Sequence, residues 1–172
     1  MAAQKLDTPL WAFSLVVYGG DGVADECLAL QERLNLDINL LLLAAFAGAR
    51  EGLQLAVRDI AAANAAAANW HDGIVRPLRH ARRTLKPAAE SDGDLRESSA
   101  ALRAQIKGAE LAAEKLEQAM LWQWLRQHLP ASPRGDEALA GNLRAVLEFY
   151  GATERPETAL PRLLTAASAY RP

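Results

Sequence analysis

The stretch from Asp37 to Ala49, Asp-Ile-Asn-Leu-Leu-Leu-Leu-Ala-Ala-Phe-Ala-Gly-Ala, constrains the fold most. From Leu40 to Ala49 it carries no charge and no polar side chain. A helix that is apolar on every side must be covered on every side. It is also far shorter than the roughly 20 residues needed to span a bilayer. The reading that satisfies both is a helix at the centre of a water-soluble helical domain. Asp37 can cap its start, and Arg50 meets its negative end.

The rest of the chain carries helical punctuation. Thr8-Pro9 opens a greasy helix that stops at Gly19-Gly20. Asp21 is placed to cap the next helix, and Asn35 to end it in a left-handed conformation. Beyond Gly52 the pattern predicts a helix from about Leu53 to Ala68. Asn69 then caps another, which kinks or restarts at Pro77 and ends before Pro87. Ala88 to Asp94 reads as loop. From Leu95 to Leu129 runs one long pattern, with Leu95, Leu102, Ile106, Ala109, Ala113, Leu116, Met120 and Trp124 at steps of three, four and seven. Gly108 is where a bend would be cheapest. Helices from about Asp136 to Tyr150 and Pro156 to Ala169 follow. No strand pattern is present. The expected fold is all-α, one domain over 1–172, with six to eight helices around the apolar helix and the long helix. Its parts are N-terminal helices over 8–86, a loop over 87–94, the long helix over 95–129, and C-terminal helices over 134–172.

Several residue blocks together resemble a known family. They are Trp11-Ala-Phe-Ser14-Leu with Tyr18, Cys27-Leu-Ala-Leu-Gln31, Asp37-Ile-Asn39-Leu-Leu-Leu, Arg76-Pro77-Leu78-Arg79 with Trp70, and Ile106-Lys107 with Glu110-Leu111 and Glu114. The resemblance covers about Pro9 to Gln118. The family is a group of small proteobacterial proteins known only as a domain of unknown function. It implies a bacterial, cytoplasmic, helical protein and brings no activity, cofactor or catalytic residue.

Charge patterning gives the candidate site. From Ile74 to Lys86 stand Arg76, Arg79, Arg82, Arg83 and Lys86, with no acid among them. On a helix Arg76, Arg79, Arg83 and Lys86 share one face, with His80 and Arg82 flanking, and Ile74, Leu78, Ala81 and Leu85 lie opposite. Such a stripe can bind an outside anion, whether phosphate, nucleic acid or an acidic partner. It can equally pair inside the molecule with Glu110, Glu114 and Glu117 of the long helix. Nucleic acid is disfavoured, because the chain carries a net charge of −2 and the block lacks interleaved aromatics. Trp11, Tyr18 and Trp70 are candidates to line a pocket beside the stripe.

Catalytic and metal motifs are missing. None of His71, His80 and His128 lies three residues after a glutamate, as a di-iron bundle requires. There is no pair of cysteines or histidines at zinc spacing, no nucleophile elbow and no phosphate loop. No cofactor and no metal is expected. The single cysteine, Cys27, reads as a small core residue in a reducing compartment. The start lacks the apolar run of a signal peptide, so cytoplasmic localisation without membrane contact is expected. The leading expectation is a non-enzymatic interaction or regulatory module that uses the basic helix surface, with a protein partner or self-association. An anion- or small-ligand-binding protein and a metal-independent enzyme remain the alternatives.

Overall fold

A computed structural model describes residues 6–91, 93–127 and 137–171. The described residues are all-α. The helices are α1 (Pro9–Tyr18), α2 (Val23–Leu34), α3 (Ile38–Ala49), α4 (Val57–Trp70), α5 (Arg76–Thr84), α6 (Lys86–Glu90), α7 (Arg96–Gln127), α8 (Ala138–Phe149), α9 (Pro156–Ala159) and α10 (Pro161–Ala169). The chain packs as two compact units. One holds Met1–Ala66 with Gln118–Pro172, the other Ala67–Glu117.

The larger unit is built on α3. Every residue from Asn39 to Gly48 is buried. Each enclosed leucine contributes about 1.5–3 kcal/mol through removal of its side chain from water. Asp37 caps the helix, its Oδ1 accepting from Asn39 N at 2.8 Å. The Asp37 amide in turn donates to the Tyr150 hydroxyl at 3.2 Å, which ties the cap to the end of α8. Helix α8 lies along α3, and Gly48 lets it come close. A Cβ at Gly48 would stand 2.5 Å from Leu139 Cα and 2.6 Å from Leu139 N. Edge-to-face rings extend the core outward, Phe13 to Phe46 at 5.4 Å, Phe46 to Trp122 at 5.5 Å and Phe13 to Tyr170 at 5.0 Å. The buried polar side chains of Asn39 and Gln118 meet each other, Gln118 Nε2 donating to Asn39 Oδ1 at 2.9 Å.

Four local expectations are corrected. Asp21 does not cap α2; Gly22, at φ 69°, occupies the cap position, and Asp21 accepts from Arg162 Nη1 at 3.1 Å instead. The helix expected from Leu53 begins only at Val57. Asn142, fully buried on α8, holds the preceding segment out of helical geometry. Its Oδ1 accepts from Leu55 N at 2.6 Å, and its Nδ2 donates to Leu53 O at 2.8 Å and Ala44 O at 3.1 Å. The C-terminal helix expected as one piece is broken at Leu160, because Pro161 drives the residue before it out of the α region (φ −140°, ψ 43°). In the long helix, the expected seam is not covered throughout. Leu95 is 73% exposed and Leu102 is 46% exposed, and Ala109 is exposed as well.

The smaller unit begins with the end of α4. Asn69 caps nothing; the helix continues through it to Trp70. The helix restarts at Pro77 as expected, with α5 beginning at Arg76 and Pro77 in its first turn. A single π-turn, His71–Val75, precedes it, with Arg76 N bonded to His71 O. That wider turn carries the chain past a proline that lacks an amide to donate. The stretch expected as a loop over 87–94 is helical in its first part, as α6. Helix α7 runs through Gly108 without interruption. Within this unit α7 buries Glu110, Ala113 and Glu117, one side only. Past the unit boundary it buries Gln118, Ala119, Leu121, Trp124 and Leu125, which lie on several sides. The expected end at Leu129 lies outside the described residues.

Candidate functional site

The basic block folds as α5 and the start of α6, but its faces do not divide as the sequence pattern implies: Arg79 turns inward with Arg82, and Ile74, expected on the covered face, is 40% exposed. No residue of α5 is fully buried. Its cations nevertheless divide into two groups.

Arg79 and Arg82 are turned toward α7. Arg79 Nε donates to Glu110 Oε1 at 3.1 Å and its Nη2 donates to Glu114 Oε1 at 2.7 Å. Arg82 grips the same Glu110, with Nε on Oε2 and Nη2 on Oε1 at 3.1 Å. Only 15% of the Arg79 side chain is exposed, and 6% of the Glu110 side chain. Burial pushes the Glu110 carboxyl upward, but the hydrogen bonds and charges of Arg82 and Arg79 outweigh it and hold it below the usual carboxylate range. Glu114 goes the other way. Burial dominates there, and Arg79 only partly offsets it, so its carboxyl is raised. Burial opposes the charge on Arg79, yet its bonds to both glutamates leave the guanidinium held more firmly charged than usual.

Arg76 and Lys86 face solvent. Arg76 Nη1 lies 3.1 Å from Asp72 and Lys86 Nζ lies 3.9 Å from Glu90, both one helical turn away and exposed. Arg83 and His80 are also on the exposed side. Glu117, expected as another partner for the arginines, is taken by His71. Its Oε1 lies 2.9 Å from His71 Nδ1, with the carboxylate wholly buried. Four residues earlier on α7, Ala113 O accepts from Trp70 Nε1 at 2.9 Å. Trp70 and His71 therefore dock side by side on α7, one turn apart. The His71–Glu117 pair was not legible in the sequence. The two residues are 46 positions apart, and only the packed helices bring them together.

Trp11 and Tyr18 belong to α1 in the larger unit, where both are half-buried. Cys27 is fully buried and its thiol is pushed up to about 12, first by burial and then by the Glu26 charge, so it is a core residue and not a nucleophile.

The family model described as "Protein of unknown function (DUF2390)" matches residues 9–121. The chain belongs to this family. No curated protein and no solved structure matches it. The family match spans α1 to α6 and most of α7, and so includes both the apolar α3 and the basic helix. Among the described residues, no helix is long and apolar enough to cross a membrane.

Proposed function

We propose that this DUF2390 protein is a non-enzymatic interaction module that docks an acidic protein partner on the exposed cations of α5 and α6. The observation that carries this reading is the division within the basic block. Arg79 and Arg82 are spent on Glu110 and Glu114, which fixes α5 on α7 as a firm backing. Arg76, Arg83 and Lys86 lie on the outer, exposed side. Exposed pairs such as Arg76–Asp72 and Lys86–Glu90 are worth at most about 1 kcal/mol, so an outside carboxylate can replace them at little cost. A single, deeply buried cysteine is compatible with work in the cytoplasm. The test is affinity capture followed by native mass spectrometry, repeated with Arg83→Glu and Lys86→Glu together. A specific partner that is lost in the double variant supports the reading. A partner retained by it places the docking surface elsewhere.

A second reading, a small-ligand-binding protein, is favoured by a different observation. In the larger unit Ser14 Oγ, Gln31 Nε2 and Gln118 Oε1 are buried without a protein hydrogen-bond partner. Buried polar atoms are normally satisfied, so groups of this kind suit bound water or a polar ligand. A serine inside a helix usually bonds back to the helix backbone, and the Ser14 hydroxyl does not. Native mass spectrometry of the purified protein would reveal a retained small molecule, and a clean apo mass would count against this reading.

A further inference from the structure

We infer that the partner of the basic surface is an acidic amphipathic helix, laid along the first half of α7 so that its leucines meet Leu95 and Leu102 and its carboxylates meet the basic residues beside them. The inference rests on the acidic-partner reading above and adds the form of the partner and the surface it uses.

The apolar part of the surface comes first. Leu95 and Leu102 are one heptad apart, on the same side of the helix as the half-buried Ile106, yet they stand 73% and 46% exposed. Leucines at seven-residue spacing on a long helix form the seam that a second helix covers. Here Leu95, just before α7, and Leu102 within it begin such a seam, which is half-buried at Ile106 and fully covered only from Glu110.

Charge beside the seam says what kind of helix fits. Arg96, Arg103 and Lys107 follow one another at spacings of seven and four, which places them in a stripe next to the leucines. From Arg96 to Ala109 α7 contains three cations and one acid, Glu97. Ile74 to Ala89 on α5 and α6 contains five cations and no acid. The bonds of Arg79 and Arg82 to Glu110 bring these two stretches together as neighbours. Arg103 adds a further sign, since its Nε is buried and has no hydrogen-bond partner. Charged residues flanking a helical seam choose the partner by sign. A second copy of the chain would bring the same basic stripe to the seam. A helix with glutamates beside its leucines brings the complement. This is the helix-in-groove mode of recognition, in which apolar anchors give affinity and flanking charge gives choice.

Three fluorescent peptides test this on the full chain by anisotropy. The first is a three-heptad helix with leucine at both seam positions and glutamate at the flanking ones. The second carries lysine in place of each glutamate. The third is an unstructured poly-glutamate of the same length. The expected result is saturable binding of the first with a Kd below about 100 µM, and at least about tenfold weaker binding of the other two. Leu102→Ser and Lys107→Glu should each weaken the first peptide about tenfold or more. Both positions are solvent-exposed, and unchanged thermal melts would show that the variants fold. If poly-glutamate binds as well as the helix, the acidic-partner reading stands and the helix inference falls. If none of the three binds, both fall. Equal binding of the lysine peptide overturns the charge argument. A wild-type dimer in sedimentation velocity that Leu102→Ser turns into monomer would show a second copy on the seam, and would also overturn the inference.

Discussion

Gly48 on α3 faces the backbone of Leu139 on α8 so closely that one added methyl group would lie 2.5 Å from Leu139 Cα. No side-chain rotation can relieve that contact, because both of the nearest atoms, Leu139 Cα and N, belong to the main chain. Gly48→Ala would gain helix propensity on its own helix, up to about 1 kcal/mol. It should still destabilise the protein by about 1–3 kcal/mol, since α8 has to move off a fully packed face. Urea denaturation checks this, and a variant as stable as the parent would mean that α8 can move away freely.

Asn142 should be more sensitive still. Its amide joins α8 to the carbonyl of Ala44 and to both ends of the Leu53–Leu55 segment. Asn142→Leu leaves the Leu55 amide and the Leu53 carbonyl without their partner, and each buried orphan costs about 1–3 kcal/mol. The expected loss is therefore about 3 kcal/mol or more. Hydrogen exchange at the Leu55 amide provides a local readout. Protection that survives the substitution would show that this bond does not hold the segment.

Arg79 and Arg76 lie one turn apart on α5 and should respond differently. Arg79→Gln strips a mostly buried guanidinium from Glu110 and Glu114 and should cost about 1–3 kcal/mol. Arg76→Gln removes an exposed pair with Asp72 and should cost no more than about 0.5 kcal/mol. A double-mutant cycle of Arg79→Gln with Glu110→Gln should show coupling of at least about 0.5 kcal/mol. Additive effects would mean that the pair contributes no interaction of its own.

The two glutamates should shape the acid limb of stability in opposite senses. Glu110 is depressed, chiefly because the bonds to Arg82 and Arg79 overcome its burial, so its contribution is complete above the ordinary carboxylate pKa. It is lost as pH falls through the lower, folded value. The advantage of wild type over Glu110→Gln should therefore be full at neutral pH and shrink in acid. Glu114 is raised, mainly by burial, so its contribution is present below the ordinary value and is lost as pH rises through the higher folded one. Glu114→Gln should accordingly cost less at pH 7 than Glu110→Gln does. Thermal melts across the acid range decide the matter, and a reversed order of the two variants would contradict the assigned environments.

Cys27 gives a simple check on the core. Its thiol is buried and held protonated, with a pKa near 12. A thiol reagent at pH 8 should leave the native protein unmodified and react with one equivalent after unfolding in urea. Fast reaction of the folded protein would mean that α2 opens readily.

The sequence alone carried the all-α class, the burial of α3, the long helix and the cap at Asp37, because each depends on residues within a few positions of one another. An uninterrupted apolar run, a 3.6-residue period and a side chain beside a free amide act locally, and no distant partner is needed to read them. The corrections come from the opposite situation. Leu53 to Ala56 has helical composition, but Asn142, nearly ninety residues away, claims its amide and carbonyl. The basic block has a visible cationic face, but which arginines turn inward depends on where α7 presents Glu110 and Glu114. Glu117 looked like a third partner for them until the π-turn before Pro77 brought His71 to it. Pairing of this kind is set by the register of two helices against each other, and a shift of one residue turns a side chain by about 100°. Sequence periodicity fixes which side chains share a face; only the packed structure decides which of them are drawn inward against another helix and which stay exposed.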